Sequence, residues 1–115
     1  MKDERYNGWK NYETWAVALW IDNEQSSYTH WREQAAEHFK EVTERESQKA
    51  ISMDQYRDAR SALAWELRGA FEGESPLLDQ ATLYSDLLTA ALERVNWYEV
   101  AEHLIDETID NATKE

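Results

Sequence analysis

Three glycines and one proline are the only strong helix breakers in 115 residues. Sharp chain reversals draw on those two residue types, so a β-sandwich or barrel would lack the turns between its strands. Long helices with few connections need little of that punctuation. The apolar fraction of 42% is enough for one core, and the length suits one domain rather than two. The expected architecture is all-α: a single small bundle of about five helices forming one acidic domain over residues 1–115.

Period and punctuation place these helices near residues 12–23, 27–46, 53–72, 78–94 and 97–111. The first opens at Asn11, a favourable N-cap, with Glu13 in the first turn where the helix dipole favours an anion. Its apolar residues Tyr12, Trp15, Ala16, Leu19 and Trp20 repeat at helical spacing, which puts Trp15 and Leu19 in the core. The second starts near Ser26-Ser27 and sets Tyr28, Trp31, Ala35, Phe39 and Val42 on one stripe, with Arg32, Glu33, Glu37, Lys40, Glu41 and Glu44 on the other side. The third begins with the capping-box pattern Ser52-Met53-Asp54-Gln55 and turns Tyr56, Ala59, Leu63, Leu67, Ala70 and Phe71 inward. Gly73 is expected to close it as a C′ glycine ahead of Ser75-Pro76. The fourth turns Ala81, Tyr84, Leu88, Ala91 and Val95 inward. Asn96 caps the fifth, with Glu99 at capping-box spacing and Trp97, Val100, Ala101, Leu104, Ile105 and Ile109 inside. No stretch alternates with β-branched content, and only a short strand pair within residues 1–9 stays open.

Charge narrows the partners. Twelve basic residues against twenty-four acidic ones give a net charge of −12, which argues against DNA or anionic lipid as a direct partner and for a basic protein. The longest apolar run, residues 15–21, is far too short for a membrane span. No apolar stretch follows the charged start, so no signal peptide is visible and a soluble cytoplasmic protein is expected. With no cysteine, a disulfide scaffold, a thiolate metal site and a cysteine nucleophile are all excluded.

Enzyme signatures do not emerge. Gly8, Gly69 and Gly73 stand apart, which leaves no phosphate loop. None of His30, His38 and His103 has a glutamate three residues before it, as the di-iron helical bundles require. Glu99 and Glu107 each lie one turn from His103, a spacing common by chance in a carboxylate-rich helix. The expectation is a non-enzymatic protein with no cofactor and no metal.

The densest segment runs from Asn11-Tyr12-Glu13-Thr14-Trp15 through Trp20 to Asn23. Together with Trp97-Tyr98-Glu99-Val100-Ala101-Glu102-His103-Leu104, it resembles an N-Y-E-T-W signature and an aromatic-x-x-A-E-H-L closing helix in small uncharacterised proteins of phages, plasmids and other mobile elements. That resemblance implies a genomic setting, and with it interference with host defence or host regulation.

Two surfaces are candidates for the contact. Four of the six tryptophans fall at Trp9, Trp15, Trp20 and Trp31, more than a small bundle can hide. Trp9 and Trp20, with Tyr12 and Glu13, are therefore expected at an exposed interface, for a foreign partner or for a homodimer. On the fifth helix Glu99, Glu102, Asp106 and Asp110 form one stripe with Glu107 at its edge, a row that could stand in for a nucleic-acid backbone in a basic groove. The resulting expectation is inhibition of a host nucleic-acid-handling defence protein, of restriction or CRISPR type, by nucleic-acid mimicry. The alternative is a dimeric adaptor that binds through the Trp-rich first helix.

Overall fold

The computed structural model describes residues 5–45, 53–74 and 81–113. Residues 1–4, the Ser52 cap, Ser75-Pro76 and the expected start of the fourth helix at residue 78 lie outside the described residues. The described chain is all-α: α1 (Tyr12–Asn23), α2 (Gln25–Arg45), α3 (Met53–Glu74), α4 (Leu83–Arg94) and α5 (Trp97–Thr113).

The core is a three-helix arrangement of α2, α3 and α5, with α1 laid against α2 and α5, and α4 against α1. Leu63 and Leu67 of α3 and Val100, Leu104 and Ile105 of α5 are wholly buried. Ala35, Ala59 and Ala101 are buried where α2, α3 and α5 face the core, and their small side chains let the backbones approach. One end is filled by a column of rings: Phe71 stacks between Trp31, 5.9 Å away, and Trp97, 5.7 Å away, with ring planes 21° and 22° apart. Stacked aromatics of this kind add to what their buried area contributes.

α1 lies with its face opposite to the one its apolar pattern predicts. Its buried residues are Thr14, Ala18 and Ile21, and Val17 packs on the core. Tyr12, Leu19 and Trp20 are exposed at 53, 37 and 71%, and Trp15 and Ala16 are half-buried. The expected core positions Trp15 and Leu19 therefore sit on the outer side. The reason is polar: Thr14 is fully buried in a hydrogen-bonded joint, described below, and three- and four-residue steps from it carry Val17, Ala18 and Ile21 inward.

Other departures are local. α3 continues through Gly73 to Glu74, and Gly8 is the sole positive-φ glycine among the described residues. Gly73 is therefore not the residue that closes α3. α4 starts at Leu83 because Thr82 and Ser85 form a reciprocal capping box. That phase buries Ser85 and Val95 and leaves Ala81 and Tyr84 in solvent, where an inward face was expected. Glu24 alone separates α1 from α2, and its carboxylate accepts from the hydroxyls of Ser26 and Ser27. Gln55 donates to the carbonyl of Val42 at 3.0 Å, serving one of the last-turn carbonyls that α2 cannot satisfy internally.

Ahead of α1, Tyr6 and Trp9 exchange both backbone hydrogen bonds at 2.8 Å. Asn7 and Gly8 between them have φ of 48° and 88°. Asn-Gly is the pair that accepts two positive φ angles in a tight hairpin turn, and among the described residues of this segment, 5–9, the pairing is one isolated bridge.

Candidate interaction surfaces

The signature Asn11-Tyr12-Glu13-Thr14-Trp15 divides between two jobs. Asn11 and Thr14 are buried. Asn11 Oδ1 accepts from the Thr14 backbone N–H at 2.9 Å and from its hydroxyl at 2.6 Å, while Asn11 Nδ2 donates to the Arg94 carbonyl at 2.7 Å. The Thr14 hydroxyl in turn accepts the Asn96 backbone N–H at 2.9 Å, and Asn96 Oδ1 caps α5 through the Glu99 N–H at 3.1 Å. The start of α1 is thus tied to the α4–α5 junction. Because Thr14 has taken the Asn96 N–H, Glu99 does not complete the expected capping box; its carboxylate accepts from the Lys10 backbone instead.

The other residues of the signature face outward or sideways. Tyr6, Tyr12 and Trp15 form a ring cluster with centroids 4.8 to 5.6 Å apart. Trp20 stands clear of the surface, as expected. Trp9 does not: it is half-buried against the core, with its ring edge-to-face on His103 at 5.4 Å, because the Asn7-Gly8 turn folds it back over α5. Glu13 pairs with Arg94 at 3.2 Å. A second lone aromatic, Trp65 on α3, is 77% exposed and was not singled out by the sequence pattern.

The acidic stripe of α5 is largely engaged within the molecule. Arg60 of α3 reaches Asp106 at 2.6 Å and Glu102 at 3.7 Å. Arg32 of α2 holds Glu107 together with Asp22 of α1, and its guanidinium also lies 3.7 Å over the Tyr28 ring. Burial pulls the Arg32 pKa down, but the hydrogen bond it donates to Asp22 and the charges of Glu107 and Asp22 outweigh it, and the guanidinium is held above the ordinary arginine value. Arg60 is raised chiefly by its hydrogen bond to Asp106. These carboxylates therefore help to fasten α5 to α2 and α3.

A different acidic row is open. Glu33, Glu37, Glu41 and Glu44 stand exposed along α2, and none forms an ion pair among the described residues. Glu33, Glu37 and Glu41 line a groove between α2 and α3 together with Gln34, His38 and Glu66. His38 Nε2 sits 2.7 Å from Glu66. The spacing of four, four and three residues, with Lys40 and Arg45 interrupting the charge, is legible in the sequence, but the pattern of ion pairs that leaves this row free is not.

The histidine on α5 lies among carboxylates: His103 Nε2 is 3.5 Å from Asp22 and 3.4 Å from Glu107. Arg32 already occupies both of those groups. Among the described residues, no set of three or more His, Asp or Glu side chains is disposed to hold a metal ion. No described helix is long and apolar enough to cross a membrane.

Residues 2–64 match the family of unknown function DUF7249, and since this is more than half of the chain, the protein belongs to that family. The matched stretch takes in the Asn7-Gly8 turn, α1, α2 and the first half of α3, and ends before α4 and α5. No curated protein and no solved structure matches the chain.

Proposed function

We propose that this member of the family is a non-enzymatic acidic binding protein that occupies the basic surface of a nucleic-acid-handling protein. The observation that carries the reading is the row Glu33, Glu37, Glu41 and Glu44. Four exposed carboxylates without described ion pairs line roughly 16 Å of helix axis on a chain of net charge −12. A row of this kind presents a basic groove with negative charges at regular intervals, and the net charge steers it there quickly. The α5 carboxylates Glu99, Glu102, Asp106, Glu107 and Asp110 add to the field around the molecule, but the pairing of Glu102 and Asp106 with Arg60 and of Glu107 with Arg32 makes that stripe the lesser contact. The likeness of the N-Y-E-T-W segment to mobile-element proteins makes a host defence protein of restriction or CRISPR type the expected target, inhibited in the cytoplasm of the host.

The test is capture from a host lysate followed by a salt titration. The expected partner is a basic nucleic-acid-binding protein, released as salt rises and displaced by competing DNA or RNA. A partner retained at high salt and indifferent to nucleic acid contradicts the reading.

A second reading, an adaptor that binds through α1, is favoured by one specific observation: the apolar stripe of Tyr12, Leu19 and Trp20 faces solvent. Exposed aromatic clusters are the usual anchors of protein interfaces.

A further inference from the structure

We infer that the outward face of α1 is a self-association seam, and that its occupant is a second copy of this chain packed antiparallel. The inference is independent of the acidic row. Tyr12, Ala16, Leu19 and Asn23 fall at steps of four, three and four residues, the spacing of a two-helix seam. No charged side chain interrupts that line, although the chain as a whole carries −12. Trp15 and Trp20 flank it on opposite sides, and Tyr6 extends it by its ring contacts with Tyr12 and Trp15.

The seam is complementary to itself under a two-fold axis that passes level with the Val17–Ala18 bond. That operation sets the small Ala16 opposite Leu19 of the second copy, and the Tyr12 hydroxyl opposite the Asn23 amide of the second copy. It also brings Lys10, just before α1, toward the Glu24 end of the other helix, so opposite charges meet at both ends. The helix dipoles oppose one another, which is the favourable arrangement for neighbours. A parallel pairing would instead set Tyr12 on Tyr12, Leu19 on Leu19 and Lys10 on Lys10.

The size of the patch sets the strength. Tyr12, Trp20, Leu19 and Tyr6 are exposed by 53, 71, 37 and 40%, so with aromatic side chains covering roughly 150–250 Å² each, the patch offers about 400 Å² per copy. That is about half of what a stable complex buries on each partner, so the dimer is reversible, with a dissociation constant on the order of 10–100 µM. Two copies of net charge −12 repel, so added salt tightens this association. Binding to a basic protein has the opposite salt dependence.

Sedimentation equilibrium of the full chain over that concentration range, at low and high salt, tests the seam directly. Expected are a monomer–dimer equilibrium that shifts toward dimer as salt rises and its loss in Leu19→Lys with an unchanged helical circular dichroism spectrum. The chain has no cysteine, so register is read by Tyr12→Cys and Asn23→Cys under mild oxidation. A mixture of the two variants should form a cross-linked dimer, and neither should do so alone. A parent chain that stays monomeric at every concentration overturns the inference and leaves the face to a different protein. Self-cross-linking by Tyr12→Cys alone overturns the antiparallel register.

Discussion

The backbone N–H of Asn96 donates to the hydroxyl of Thr14 at 2.9 Å across 82 residues of sequence. That hydroxyl also donates to Asn11 Oδ1, so a buried side chain is satisfied on both sides and α1 is locked to the start of α5. Thr14→Val keeps the shape and removes both bonds. It leaves the Asn96 backbone N–H without its acceptor and Asn11 Oδ1 with the Thr14 backbone N–H alone, and should lower stability by about 1–3 kcal/mol, whereas Thr14→Ser should retain most of it. Urea denaturation of the three proteins checks this.

The phase of α1 makes a second prediction, opposite to the one the apolar pattern suggests. Ile21 is buried and Trp20 is exposed. Ile21→Ala should cost about 2–5 kcal/mol, while Trp20→Ala should stay within about 0.5 kcal/mol of the parent at concentrations where the chain is monomeric. Leu104→Ala, a core change on α5, should match Ile21→Ala. Thermal melts of the three variants distinguish the two phases.

How far the fold could be read from sequence depended on what held each helix. α5 was legible because its burial is purely apolar: Trp97, Val100, Ala101, Leu104 and Ile105 all lie where their spacing puts them. The phase of α1 is not legible in its apolar pattern because its face is chosen by two buried polar residues, Asn11 and Thr14, whose partners lie more than 80 residues away. The phase of α4 is hidden for a similar reason, since the Thr82–Ser85 capping box sets it against Tyr84 and Ala81. For the acidic residues, the sequence gives the rows but not their pairing. Only the packing of α2 and α3 against α5 shows that Arg32 and Arg60 are spent on one row and not on the other.

That pairing reverses the consequence of neutralising α5. From sequence alone, changing Glu99, Glu102, Asp106 and Asp110 to Gln or Asn relieves repulsion and leaves stability unchanged or improved. In the structure it strips Arg60 of both ion-pair partners and takes the charge from the Glu99 oxygen that accepts the Lys10 backbone N–H. The quadruple variant should therefore be less stable by about 1–3 kcal/mol, read by denaturant unfolding at moderate salt.

The two arginine joints should not titrate in any ordinary buffer. Both guanidinium pKa values are raised in the folded chain. A raised pKa contributes stability that is complete below the unfolded value and is lost only as pH climbs through the folded one. The stability difference between the parent and Arg32→Gln should consequently stay level from about pH 7 to 10. A difference that shrinks steadily over that range would show that Arg32 does not act as a charged clamp.

The most direct measurement of the acidic-binding reading is the salt dependence of the association constant for the captured partner, taken with three forms of the protein. These are the parent, the variant with Glu33, Glu37, Glu41 and Glu44 changed to Gln, and a control with Trp20→Ala. The parent should weaken steeply as salt rises. The glutamine variant should bind weakly, with a much shallower slope and an unchanged melting curve, and Trp20→Ala should follow the parent. If the glutamine variant keeps the parent's affinity and slope while Trp20→Ala loses binding, the acidic row is only a solvated face and the partner is held by the aromatic face of α1.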